Sequence, residues 1–298
     1  MPLTRGRARA VAPTRSIARR RSNARGRWEK NQSIDRRGRG RDRGVARAWA
    51  VADALVAIAA DDTSRDALAC AFTCVAAYAW VKAFDVAADA GTFASTTSRK
   101  LVHVTSGVGF ACAWPLFSAA ASAKAFACAI PVIQGARLFG IGSGIIKNES
   151  AVRAVSRAGG KEELLKGPLY YTAALSALTS GYWRTSPIGI VAIAMMCGGD
   201  GFADIVGRRF GEGNALPWNG DKSFAGSAGF VAGGFGIASG LLAYFQHFGF
   251  IETTGSTYAA TFAISCACAL VESLPVSSVL DDNFTVVFTA VALGTLLF

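Results

Sequence analysis

Eight stretches without a charged residue recur along the chain, at 67–81, 104–123, 125–136, 167–183, 185–199, 223–246, 253–271 and 283–298. Crossing ~30 Å of hydrocarbon as a helix takes ~20 apolar residues, and these stretches reach or approach that length once their flanks are added. Buried helices of soluble proteins normally keep a polar side, which these runs almost wholly lack. With 52% hydrophobic and 17% charged residues in 298, the chain is also too apolar for an ordinary soluble domain of its size. The pattern predicts an all-α fold, a polytopic integral membrane helical bundle of about eight transmembrane helices, seven to nine with soft boundaries. The spans are expected near 67–84, 101–121, 124–146, 168–183, 185–199, 223–248, 256–274 and 283–298.

The formal net charge of +11 would suggest nucleic acid as a partner were it spread over the chain. It is not: residues 1–44 hold fourteen Arg and one Lys against Glu29, Asp35 and Asp42, a balance of +12 that leaves −1 for the rest. An Arg-rich, acid-poor leader with Ser and Thr and no apolar core reads as an organelle transit peptide, removed before about Val45. A lipid-binding or RNA-binding arm is the alternative, but no aromatic-interleaved nucleic-acid module follows, so no nucleic-acid partner is expected. Residues 45–66 read as a linker or interfacial helix and 67–298 as the membrane domain. The seven cysteines lie almost wholly in apolar runs without a C-x-x-C pair, as small buried hydrophobes do.

Counting crossings, an even number of spans separates the polar segments 98–103, 147–167, 198–223 and 272–283, so all four are expected on one face. The links left for the opposite face are short, around Ser122, Arg184 with Thr185, and 249–257. The segment 147–167 is expected to form a short surface helix ended by Gly159-Gly160.

Chemistry-bearing residues collect on that first face. In "GGDGFADIVGRRFG" (198–211), Asp200 and Asp204 are four apart, on one helical face with Arg208 a turn further. Stacked carboxylates at a membrane boundary suit a hard, oxygen-preferring cation such as Mg²⁺. Gly199 and Gly201 let a backbone and a bulky anion approach, while Arg208, Arg209 and Lys222 supply positive charge for phosphate oxygens. In "VESLPVSSVLDDNFTV" (271–286), Glu272, Asp281, Asp282 and Asn283 repeat the acidic pattern, with Asp282 or Asn283 also read as a helix N-cap. Arg137 interrupts an apolar span and is expected to pair with Glu272, to hold phosphate, or to snorkel. Arg99, Lys100 and His103 open the second span as supporting groups, a single histidine at a helix edge being more often a hydrogen-bonded structural residue than a base.

These stretches, with "SRKLVHVTSG" (98–107), "ELLKGPLYY" (163–171) and "KSFAGS" (222–227), resemble the polyprenol kinase family, most closely its plastid phytol kinase and farnesol kinase members, over about residues 67–298. The resemblance implies a membrane kinase that transfers the γ-phosphoryl group of CTP, with Mg²⁺, to an isoprenoid alcohol drawn from the bilayer. It implies a chloroplast membrane, another organelle membrane being the alternative, and a place in recycling phytol toward tocopherol. On that reading Asp200, Asp204 and Asp281 are catalytic, with Asp200, Asp204, Glu272 and Asp282 as metal ligands. Gly199, Gly201, Arg208, Arg209, Lys222 and Arg137 bind nucleotide phosphates, while Asn283, Arg99, Lys100 and His103 support the site. The acceptor is expected to be phytol, with farnesol or geranylgeraniol as alternatives. Competing functions are a cytidylyltransferase forming a CDP-lipid and, in a different class, a transporter, which would place polar groups along the middle of several spans.

Overall fold

The computed structural model describes residues 61–89, 95–149, 151–152, 156, 160–275 and 281–298. The leader, most of the 45–66 segment and most of the expected surface helix before Gly160 lie outside them.

Long helices occupy all eight expected places. They are α1 (Asp62–Asp89), α2 (Ser95–Cys112), α3 (Ala123–Gly142), α4 (Gly167–Gly181) and α5 (Pro187–Ala194), which runs through a π turn (Met195–Gly199) into α6 (Asp200–Phe210). A short antiparallel hairpin, β1 (Ala215–Leu216) and β2 (Asn219–Ser223), leads to α7 (Phe224–His247), α8 (Gly255–Ser273) and α9 (Asp282–Leu297). The protein is an all-α membrane helical protein. Among the described residues four segments are long and apolar enough to cross a membrane: Asp62–Phe84, Ala123–Gly142, Pro187–Phe210 and Phe224–His247.

The α5–π–α6 segment is the axis of the bundle. Residues Ile190 to Cys197 are at most 1% exposed, whereas α1 presents Val75, Tyr78 and Trp80 outward. The helices approach closely because glycine faces side chain where they meet: a Cβ on Gly229 would fall 2.7 Å from Val206 Cβ, and one on Gly233 2.6 Å from Phe202 Cβ, so α7 lies directly along α6. Phe230, Leu242 and Phe245 of α7 complete a core continuous with Trp114 and Phe117. All seven cysteines are free, with Cys197 and Cys268 buried and Cys266 exposed.

Several boundaries differ from expectation, among them the start of α2 at Ser95 and the end of α3 at Gly142, and three have a visible cause or consequence. Helix α1 starts at Asp62, earlier than expected, because Asp61 accepts the Ser64 amide at 2.7 Å and caps the first turn. The second span stops at Cys112 rather than 121; Pro115, which has no N–H, sits in a 3-10 turn (Trp114–Leu116), the Tyr244 hydroxyl donates to the Cys112 carbonyl at 2.7 Å, and Arg184 Nη1 donates to the carbonyls of Trp114 and Phe117, each at 2.9 Å. Arg184, 6% exposed, is thereby a clamp on the loop after α2, beside Asp66, which takes the Ser118 amide at 2.6 Å and its hydroxyl at 2.9 Å. Lastly, the fifth span does not stop at Gly199 but continues into the acidic segment.

Candidate active site

That continuation builds the site. A π turn widens the helix by one residue and is frequent where function needs a redirected backbone. Here it buries Met195 to Gly199 and delivers Asp200 to the start of α6, facing α2, α8 and α9. The carboxylates of Asp200, Glu272 and Asp282, from three different helices, each offer an oxygen within 4.8 Å of the others.

Two ammonium groups sit among them. Lys100 Nζ of α2 donates to Asp200 Oδ2 at 2.9 Å. Lys222 Nζ of β2 donates to Glu272 Oε1 and stands 3.9 Å from Asp282 Oδ2. Glu272 has only 5% of its side chain exposed, and Lys222 is the cation that offsets the cost of burying it. Burial pulls the Lys222 ammonium down, but Glu272, then Asp282 and Asp200, outweigh it and hold its pKa above the ordinary lysine value. Asp282 is pushed up to about 7, first by burial and then by Asp200, Glu272 and Asp281, with Lys222 opposing. Its Oδ1 is buried and has no hydrogen-bond partner among the described residues.

His103 stands a helical turn from Lys100, its Nε2 3.6 Å from Asp200 Oδ2 and 3.3 Å from the Met196 carbonyl of the π turn. Both neighbours are acceptors, so in the neutral ring Nε2 carries the proton. Tyr171 lies against it with ring centroids 4.4 Å apart and donates its hydroxyl to the His103 carbonyl at 3.0 Å. The hairpin is latched to the end of α8, with Trp218 Nε1 donating to Ser273 Oγ at 3.2 Å and Asn219 Nδ2 to the Ser273 carbonyl at 3.1 Å. Lys222 and Glu272 thus approach from backbones tied together.

Other sequence-predicted residues fall elsewhere. Asp204 lies outside the group of three and pairs with Arg208 one turn along α6, the i,i+4 contact expected of them. Arg209 is placed over the Phe210 ring, 5.6 Å from its centroid. Asp281, not Asp282 or Asn283, caps α9: its Oδ1 accepts the Asn283 amide at 3.0 Å and Asn283 Nδ2 at 2.6 Å. Arg137 is half-buried on α3, and Glu272 pairs with Lys222 instead of with it. Gly199 and Gly201 serve helix packing, because a Cβ would meet Phe230 at 2.5 Å and Val104 at 2.1 Å respectively. The Arg99 side chain lies outside the described residues.

Three carboxylates at this spacing, with Asp282 Oδ1 lacking a hydrogen-bond partner among the described residues, fit a divalent cation such as Mg²⁺, and the flanking lysines fit the anion that would accompany it. Fold and site together define a helical membrane protein with a carboxylate–lysine cradle at the end of its central helix. No family model and no solved structure matches the chain. Curated relatives do: it is 44% identical over 239 residues to "Probable phytol kinase 2, chloroplastic" of Oryza sativa subsp. japonica, covering 80% of this chain and 78% of the relative. It is 42% identical to "Farnesol kinase, chloroplastic" of Arabidopsis thaliana over 77% of this chain and 75% of the relative. To "Phytol kinase 1, chloroplastic" of the same plant it is 43% identical, over 70% of this chain and 69% of the relative. The chain belongs to the phytol and farnesol kinase family.

Proposed function

We propose that this protein is a membrane-embedded kinase that transfers the γ-phosphoryl group of CTP to the hydroxyl of an isoprenoid alcohol, phytol first, in a chloroplast membrane. The observation that carries the reading is the convergence of Asp200, Glu272 and Asp282 with Lys100 and Lys222 where the central apolar helix turns polar. An alcohol dissolved in the bilayer and a nucleotide dissolved in water meet only at such a boundary. Family membership supports the alcohol as acceptor, and the "chloroplastic" names of relatives agree with the Arg-rich leader as a plastid address. The product would feed reactions that consume phytyl phosphate, such as tocopherol formation.

Phosphoryl transfer asks a protein mainly for positioning and charge stabilisation. Lys100 and Lys222 orient the triphosphate, Glu272 fixes Lys222, and His103 and Tyr171 hold the wall beside Asp200. Arg208, steered by Asp204, and Arg209 extend the positive rim. A divalent cation held by Asp200, Glu272 and Asp282 would neutralise charge on the phosphate oxygens.

The test supplies the protein, in detergent–lipid micelles with Mg²⁺ and γ-labelled CTP, with phytol, geranylgeraniol, farnesol and dolichol in parallel. Label in a lipid monophosphate, with CDP released, is the expected result. With the corresponding lipid monophosphates offered in place of the alcohols, a CDP-lipid with pyrophosphate released would assign a cytidylyltransferase instead. Label in no lipid, from protein that binds CTP, would refute the kinase.

A further inference from the structure

The three carboxylates of the cradle already have cations, and these come from elsewhere in the fold. Lys100 reaches Asp200 from α2, and Lys222 reaches Glu272 and Asp282 from the hairpin. Clustered acids repel one another, and two internal ammonium groups offset most of that repulsion. Yet an ammonium and a divalent ion compete for the same carboxylate lone pairs. Mg²⁺ demands oxygen ligands at ~2.0–2.1 Å in near-octahedral geometry, which an ammonium hydrogen-bonded to those oxygens obstructs. A lysine that yields its carboxylate needs another anion, and a triphosphate offers several.

The motion required is small. Trp218 and Asn219 tether the hairpin to Ser273, next to Glu272. Helix α2 is seated on α6 where Val104 fills the space over Gly201. Both lysine backbones are therefore fixed, while each ammonium rides a flexible four-carbon stem that can swing from carboxylate to phosphate.

We propose that Lys100 and Lys222 are internal counter-ions that obstruct the cradle to a bare divalent cation and pass to the phosphates when nucleotide arrives, so that metal and nucleoside triphosphate load as one coupled unit. This rests on the cradle being the metal–triphosphate site.

The probe is Mn²⁺ alone, its binding to the full chain in micelles followed by the electron paramagnetic resonance of the free ion. Lys100→Met and Lys222→Met are expected to bind Mn²⁺ about tenfold more tightly than the parent protein and to bind CTP with Mn²⁺ about tenfold more weakly, a factor of ten being a modest coupling between sites. Lys100→Gln and Lys222→Gln, which keep a hydrogen-bond donor without its charge, should shift both affinities the same way and stand in where a Met variant fails to fold. Unchanged or weaker Mn²⁺ binding in folded variants would overturn the inference, because a merely structural lysine weakens the site when removed. Tighter Mn²⁺ binding with unaltered nucleotide binding would overturn the hand-over. Absence of saturable Mn²⁺ binding in the parent protein and in the lysine variants alike, with CTP or without it, would bring down the metal site itself, whereas saturable binding weakened by Asp282→Asn keeps that reading intact whatever the lysine variants do.

Discussion

Gly201→Ala is the substitution that the packing makes most informative. The added Cβ would lie 2.1 Å from Val104 Cγ2, and Val104 follows His103 directly on α2. Valine is β-branched and held to essentially one rotamer in a helix, so α2 itself must move. Overpacking of this kind costs ~1–3 kcal/mol, the upper half being expected for so short a contact. The gain in helix propensity from Gly to Ala returns up to ~1 kcal/mol, leaving a net loss of ~1–2 kcal/mol. The displacement would lengthen the 2.9 Å contact between Lys100 and Asp200. Since a misplacement of ~1 Å can cost ~100-fold in rate, turnover should fall ~10- to 100-fold. Val104→Ala removes the opposing methyl, so Gly201→Ala/Val104→Ala should lose less stability than the two single changes together, with a coupling of ~1–3 kcal/mol. Denaturant unfolding in micelles and label transfer measure both effects. Strict additivity, or full turnover in Gly201→Ala, would refute the argument that this glycine seats α2 against the site.

Other predictions concern separate parts of the molecule. Burial and the neighbouring acids push Asp282 up to about 7, and a carboxyl must lose its proton to bind a cation, so Mn²⁺ affinity should rise about tenfold from pH ~6 to ~8, and this rise should flatten in Asp282→Asn. Asp281→Ala removes a helix cap and should cost ~0.5–2 kcal/mol in unfolding experiments while Mn²⁺ affinity stays within about twofold. A tenfold loss of metal binding would instead return Asp281 to the cradle. Arg184→Met removes the side-chain donor to the carbonyls of Phe117 and Ser118 and one of the two donors to that of Trp114, and should cost ~2–5 kcal/mol, with Mn²⁺ affinity of the folded fraction unchanged. Equal stability of that variant would mean that the loop after α2 does not need its clamp.

Much of this architecture is legible in the sequence because charge-free runs of helical length leave few alternatives, and helices stand in all eight places. Pro115 signals the early end of α2, but the distant Arg184 that donates to the carbonyls of Trp114 and Phe117 cannot be read locally. The even spacing of crossings predicts that residues 98–103, 198–223 and 272–283 share one face, and among the described residues the pairs of Lys100 with Asp200 and Lys222 with Glu272 join those segments. Periodicity links Asp200 to Asp204, but tertiary packing links Asp200 to Glu272 and Asp282 through helices that enter from other directions. The glycines mislead for a related reason: a missing side chain looks the same whether a ligand or a neighbouring helix fills the space, and at 199 and 201 it is Phe230 and Val104. Tyr171 carries no signal beyond its place in "ELLKGPLYY", and its contact with His103 emerges only in three dimensions.

The most direct test of the cradle compares label transfer from γ-labelled CTP to phytol by Asp200→Asn, Glu272→Gln and Asp282→Asn with that by Asp204→Asn, all verified as folded. Loss of a carboxylate that would hold the cation neutralising the transferring phosphate is expected to cut turnover ~100- to 1,000-fold in each of the first three. The exposed pair of Asp204 with Arg208 is worth at most ~1 kcal/mol, so Asp204→Asn should lose no more than about tenfold. The opposite ranking, with Asp204→Asn inactive and Glu272→Gln or Asp282→Asn near the parent rate, would contradict the account.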